Sequence, residues 1–505
     1  MRFNTSIKKS SKIKNYEGAD AFALDPKLAL YTLVVTSALN NKFYEKTSDQ
    51  IQRLRDLIAK NDPHFVAKLA VYSREKMYLR SIPLVLTVEL AKIHNGDDLL
   101  SRLVNRVIQR ADEITELLAY YQLANERISI KKLNKLSKQL QRGLALAFNK
   151  FDAYQFAKYN RQTEVKLKDA LFLVHPKAKD ENQQQIFNQI VNDSLEIPYT
   201  WEVELSALGQ QKFDSANEQK TAIKAKWEEL ISSGKLGYMA LLRNLRNILQ
   251  ADVDRKFLNV VVQRLGNARE VARSKQLPFR FLSAFRELQT VKSTATSLIL
   301  NALEKAIQAS AHNLQGFDEK TRILIACDTS GSMCTPISPR STVQYYDIGL
   351  VLGMLLQSRS KSVMTGIFGD TWKVINLPQA QILSNVDKLR NRMGEVGYST
   401  NGYLVIRDLV RRKVVMDKVM IFTDMQLWDS RGNQNSLASE WQEYRQIAPK
   451  AKLYIFDLAG YGQAPLNLKG DHVYLIAGWS EKIFEVLDAI EKGKSALTQI
   501  EEIIL

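Results

Sequence analysis

Apolar positions recur with a period near 3.6 from Asp25 to about Leu314, after which the pattern changes to short continuous apolar runs. Ile51, Leu54, Leu57 and Ile58 mark one helical face; Leu99, Leu100, Leu103, Val104, Val107 and Ile108 mark another. Asp62-Pro63, Ser81-Ile82-Pro83 and Asn95-Gly96 interrupt the period, which predicts short helices joined by short turns. No strand and no strict repeat stands out here, so the spacing alone predicts antiparallel helix pairs stacked as a HEAT-like solenoid.

From Arg322 the apolar runs predict strands over 323–327, 362–368, 372–376, 418–423, 452–457 and 473–477. Helical patterns at 343–357, 400–411, 437–446 and 481–490 lie between most of them. Such alternation implies right-handed crossovers and a doubly wound, mostly parallel, Rossmann-like sheet. Gly369-Asp370 predicts one antiparallel edge pair, 362–368 with 372–376. The fold class is therefore α + α/β. The predicted division is a basic flexible arm at 1–20, a helical domain at 21–318 and an α/β domain at 319–505.

Charge sharpens this division. Residues 1–320 hold 50 Lys and Arg against 35 Asp and Glu, whereas 321–505 hold 21 against 19. Nearly all of the formal +17 sits in the helical part, which points to a polyanionic partner, nucleic acid before an acidic membrane. Cys327 and Cys334 form no C-x-x-C pair and fit a reduced, cytoplasmic protein, with Cys327 a buried filler. The basic N-terminus has no apolar signal region, and no apolar stretch approaches the roughly 20 residues of a membrane span.

Within the helical part, Lys131, Lys135, Lys138 and Arg142 fall in a band of roughly 60° on a predicted helix, opposite Leu133, Leu136, Leu140, Leu144 and Ala147. No acidic residue occurs from Lys131 to Lys150, so this is a phosphate-tracking stripe rather than a mixed-sign solvated face. Next, Lys158, Arg161, Lys166, Lys168, Lys177 and Lys179 interleave with Tyr154, Phe156, Tyr159 and His175. That mixture suits phosphates and unpaired bases, although taken singly each aromatic is core more often than base platform, and His175 before Pro176 could cap a helix. Arg243 and Arg246 stand among leucines farther on.

The α/β part carries an oxygen constellation. Asp328, Ser330 and Ser332 follow the first strand, Asp424 ends VMIFTD, and Thr400 lies in GYSTNG. In a doubly wound sheet these positions meet outside the carboxyl ends of the strands. Two carboxylates and three hydroxyls describe a hard divalent cation site, Mg²⁺ or Mn²⁺. Hydrolysis by Ser330 lacks a G-x-S-x-G elbow and an obvious His partner, His472 reading as a loop histidine, and a nuclease lacks a second metal cluster.

The D-x-S-x-S turn with its later Thr and Asp resembles a von Willebrand factor A domain and its metal-ion-dependent adhesion site, matched at Asp328, Ser330, Ser332, Thr400 and Asp424. EGADAFALDPKLALYTLVVTSALNNKFYE, KYNRQTEVKLKDALFLVHPK and LLRNLRNIL are similar to the TROVE-domain family, the Ro autoantigen proteins and their bacterial relatives. That resemblance covers nearly the whole chain. It implies a helical ring closed by the A domain, a non-enzymatic protein that holds small noncoding Y-RNA-like RNA outside and single-stranded 3′ ends of misfolded RNA in the hole. It also implies a monomer with an exoribonuclease partner. The Y RNA surface carries over to Lys158 and His175, while the family's arginine falls at Gln162, with Arg161 one place earlier. The alternative reading is a metal-dependent protein-interaction or adhesion module.

Overall fold

The computed structural model describes residues 12–39, 42, 44–126, 136–160, 162–310, 320–339, 341–433, 435–468, 470 and 472–505. The chain forms two compact units. One gathers Met1–Leu57, Lys275–Arg286 and Leu303–Thr498; the other gathers Ile58–Ser274, Glu287–Ala302 and Gln499–Leu505.

The first unit opens with two short strands, β1 (Lys12–Lys14) and β2 (Asp20–Ala23). Its large sheet comprises β3 (Arg322–Asp328), β4 (Ser362–Phe368), β5 (Trp372–Val374), β6 (Lys418–Thr423), β7 (Lys452–Asp457) and, after β8 (Gln463–Ala464), β9 (Val473–Ala477). The order is β5-β4-β3-β6-β7-β9, parallel throughout except for the expected antiparallel edge strand β5. β3 is buried on both sides because helices cover both faces. Leu324 and Ala326 join a core with Val405, Ile406, Leu409, Trp441 and Tyr444. On the opposite face the helix Tyr345–Arg359 approaches closely, since a Cβ at Gly353 would lie 3.1 Å from both Cys327 Sγ and Ile325 Cγ2. Cys327 is the buried filler that its position predicts, and burial pushes its thiol pKa up.

Three features depart from the sequence expectation. Residues 12–14, placed in a flexible arm, form β1, which pairs with β2; β2 in turn pairs with β8. The Asp25-capped helix Pro26–Val35 belongs to the same unit, where the Tyr31 hydroxyl donates to Ala477 O at 3.1 Å. A boundary at 318/319 follows the change in secondary structure, whereas compactness follows these long-range pairings. The helix Ile382–Arg390 was not foreseen either.

In the second unit all regular structure among the described residues is helical. Asp62 accepts from Phe65 N at 3.0 Å and Pro63 occupies the first turn, so the Asp-Pro break is a helix start. Arg74 and Glu113 form a buried ion pair at 2.8 Å, and Glu113 also accepts from the amides of Gln109 and Arg110. Leu99–Val107 and Lys138–Phe148 pack tightly at Gly143, where a Cβ would meet Val104 Cβ at 2.6 Å and Ser101 O at 2.7 Å. Among the described residues, no helix of either unit is long and apolar enough to cross a membrane.

Candidate functional site

Sheet topology brings the oxygen constellation together. From β3 the chain moves to β4 on one side and then returns to β6 on the other, so the connection reverses between β3 and β6. Ligands bind beyond the carboxyl ends of strands at such a reversal. Asp328 is the last residue of β3, and Asp424 follows β6.

Hydrogen bonds fix the loops. Asp328 Oδ1 accepts from Ser330 N at 2.9 Å and its Oδ2 from the Thr423 hydroxyl at 2.6 Å. Gly331 N donates to Tyr398 O at 2.8 Å, tying the DTSGS turn to the GYSTNG loop. The Thr400 hydroxyl donates to Gln426 O at 2.8 Å, and Gln426 N donates to Asp424 Oδ1 at 3.1 Å. Ser330 Oγ and Ser332 Oγ lie 3.4 Å apart. Met425 adopts a φ of +70°, a left-handed turn that reverses the chain directly after Asp424. All five predicted residues gather at this rim, none more than 5% exposed.

Burial dominates the electrostatics. It pushes the Asp328 carboxyl up to about 6, against the bonds from Thr423 and Ser330. Asp424 is pushed up to about 7, first by burial and then by repulsion from Asp328. Asp424 Oδ2 is buried and accepts no hydrogen bond among the described residues, although the Ser332 hydroxyl is near enough to favour the ionised form. Two mutually repelling buried carboxylates, an orphaned oxygen and adjacent hydroxyls fit a hard cation. Among the described residues no group of three or more His, Cys, Asp or Glu side chains could hold a metal.

Three further residues shape the rim. Thr423 and Gln426 hold the two carboxylates, and Asp457 ends β7 at the same edge, its Oδ1 accepting from Ala459 N and Gly460 N. The apolar run ending in Asp457 repeats the strand-then-aspartate pattern of β3 and VMIFTD, a signal the sequence already carried. His472 precedes β9 and so lies at the amino end of a parallel strand, away from Ser330.

The basic residues fare unevenly. Lys131, Lys135 and Arg161 lie outside the described residues. The helix expected from Lys131 onward is described only from Lys138, after Ser137, so the stripe contributes Lys138 and Arg142. Both are exposed and have no ion-pair partner among the described residues. Gln141 Nε2 donates to Leu173 O at 3.2 Å and Val174 O at 3.3 Å, which brings this helix to His175. His175 is exposed and caps the helix Leu167–Val174 in a left-handed conformation, the capping role open to it from sequence.

Lys158 is exposed, with Nζ 5.8 Å from the Tyr154 and Tyr159 ring centroids. Phe156 is core, whereas Tyr154 is half exposed. Tyr154 also lines a cleft of about 800 Å³ with Ile197, Tyr199 and Lys235, whose Nζ lies 5.0 Å from the Tyr199 ring. Lys168 is paired with Asp193 at 3.0 Å and Arg246 with Glu287 at 2.5 Å. Arg243, on the helix Tyr238–Gln250, is exposed and without an ion-pair partner among the described residues. No hydrogen bond or ion pair among the described residues joins Arg243 or Arg246 to the Lys138–His175 group.

A TROVE-domain model matches residues 28–220 and 193–324. The chain is 23% identical over 363 residues to telomerase protein component 1 of Mus musculus and, to the same extent, of Rattus norvegicus. Each match covers 56% of this chain and 13% of the relative, so the chain spans about an eighth of these relatives' length. The crystal structure of the Deinococcus radiodurans RO (RSR) protein superposes with a TM-score of 0.58 at 16% identity. That superposition covers 95% of this chain and all of the other, a likeness of fold.

Proposed function

Because the chain belongs to the TROVE-domain family, matched across more than half its length, we propose that it is a non-catalytic RNA-binding protein of a ribonucleoprotein. The carrying observation is a coincidence of segments. The family match at 28–324 falls on the part of the chain that holds 50 basic against 35 acidic residues.

Exposed Lys138, Arg142 and Lys158, with His175 beside them, supply phosphate contacts for a small structured noncoding RNA of the Y type. Tyr154 and Tyr199 flank a cleft that suits unpaired bases, as in the single-stranded 3′ end of a misfolded RNA. Lys168 and Arg246 join them when RNA phosphate displaces Asp193 and Glu287, since exposed ion pairs are worth under about 1 kcal/mol. In this reading the protein works in RNA quality control in the cytoplasm, with an exoribonuclease as the natural consumer of the RNA end. The sheet rim holds Mg²⁺ or Mn²⁺ on Asp328 and Asp424, with Ser330, Ser332 and Thr400 as hydroxyl donors. Bound there, the cation supplies positive charge to an anionic group.

Crosslinking in cells followed by sequencing of the bound RNA tests the proposal. Enrichment of structured small RNAs with exposed 3′ tails supports it. No enriched RNA overturns it. In vitro, four single-strand phosphate contacts should cost roughly fiftyfold in affinity for a fourfold rise in salt.

A further inference from the structure

A second cleft, of about 710 Å³, opens in the helical unit between Trp201–Gly209, Ala216–Ser232 and the end of Tyr238–Gln250. That volume is of small-molecule size. Buried Trp227 lines it together with Leu205, Phe213 and Ile223, all three partly buried. Cross-links hold its walls. Trp201 stacks on Trp227 at 6.4 Å and Lys226 pairs with Glu204 at 3.0 Å, joining the first helix to the second. Lys224 pairs with Asp254 at 2.7 Å and Glu228 accepts from Asp254 N at 2.9 Å, joining the second helix to the turn after the third.

The remainder of the lining is polar. Lys220 is exposed, makes no ion pair among the described residues and stands one helical turn before Lys224. Asn247 Nδ2 donates to Asn244 Oδ1 at 2.9 Å, which leaves the Asn247 carbonyl and one N–H for a ligand. Gln250 is exposed and makes no side-chain hydrogen bond among the described residues. Asp252, in a left-handed turn with a φ of +50°, is the one acid of the lining. An acyl chain here would strip water from the amides and the carboxylate and return no hydrogen bond. A flat heteroaromatic ring with hydrogen-bonding edges, a hydroxylated ring and an anion would use every part.

We propose that this cleft binds a ribonucleotide. The base lies against Leu205, Phe213 and Ile223, with its edge on the Asn247 and Gln250 amides. Asp252 accepts from the ribose hydroxyls, and Lys220 and Lys224 hold the phosphate. Arg243, Arg246, Asn247 and Gln250 fall within a band of roughly 100° on their helix, so exposed basic residues lead along one face to the cleft. The nucleotide is therefore free or part of a strand. Its place in an RNA strand rests on the RNA-binding reading above, whereas binding of the free nucleotide does not.

Calorimetric titration of the full chain with adenosine 5′-monophosphate tests this, because Asn and Gln amides pair with N6 and N7 of adenine. Circular dichroism confirms that each variant folds. Wild type should bind, and should bind the 2′-deoxy form about tenfold more weakly, the worth of one charge-assisted hydrogen bond. K220E and Q250A should each weaken binding of the monophosphate about tenfold, D252A should erase the preference for ribose, and I223W, which fills the cleft, should abolish binding. A short oligoadenylate should compete with the monophosphate, and R243E should weaken the oligoadenylate alone, which separates a strand from a free nucleotide. No binding by wild type at millimolar concentration, or binding that the cleft variants leave unchanged, overturns this inference and leaves the RNA-binding reading to the crosslinking test. Monophosphate binding that responds to the variants without competition from the oligoadenylate supports the site and overturns its use by a strand.

Discussion

The rim of the sheet and the basic face of the helical unit use charge in opposite ways. At the rim Asp328 and Asp424 are buried, held by backbone and hydroxyl donors, and at odds with each other. On the helical unit Lys138, Arg142 and Lys158 are exposed, in water and without ion-pair partners among the described residues. A buried site of this kind suits one small ion and is fixed by the fold. An exposed basic face suits a long polyanion and tolerates loose geometry.

The largest expected effect asks whether the helical unit tolerates a buried unpaired charge as poorly as burial implies. Arg74→Met leaves Glu113 with only the longer contact from Arg80 at 3.4 Å and should destabilise that unit by up to about 3–5 kcal/mol, measured by urea unfolding. An unchanged midpoint would mean that Arg80 and the backbone donors relieve Glu113 by themselves.

Reversing the exposed face comes next. K138E/R142E/K158E should weaken RNA binding roughly hundredfold, from about 1 kcal/mol per lost phosphate contact, with the thermal midpoint little changed because these side chains are exposed and make no ion pair among the described residues. Fluorescence anisotropy with a tailed small RNA reads it. Equal weakening by D424N would erase the distinction between the two regions.

Gly143→Ala places a Cβ against Val104 and the Ser101 carbonyl, where backbone cannot give way. It should cost about 1–3 kcal/mol and disturb the helix that carries Lys138 and Arg142. Calorimetry should show the loss.

The smallest effect concerns Glu395, which bonds to Arg392 and then Lys373 hold down to about 2. A lowered carboxyl contributes stability above its unfolded value and loses it as pH falls through about 2. E395Q should therefore be slightly less stable than wild type at neutral pH, with the difference vanishing at the acid end. A gap that widens in acid would reverse the sign.

How legible each region was follows from the same contrast. The bounds of β6, β7 and β9 could be read directly, because buried parallel strands are unbroken apolar runs that polar residues terminate. The rim positions followed, since topology dictates where strand ends meet. β1, β2 and β8 were not legible: they are two to four residues long, and β2 pairs with β8 across some 440 positions of sequence. On the helical unit, amphipathic spacing identified which side chains face out, and the helix it marked is described from Lys138. Periodicity was also blind to Asp193 and Glu287, which neutralise Lys168 and Arg246 from other elements.

The most direct test of the central claim is the affinity of the full chain for a tailed small RNA, measured across a salt series with Mg²⁺ and again with EDTA. The account predicts equal affinities with and without the cation and a steep fall with salt. Loss of binding on chelation, or an affinity indifferent to salt, would contradict it.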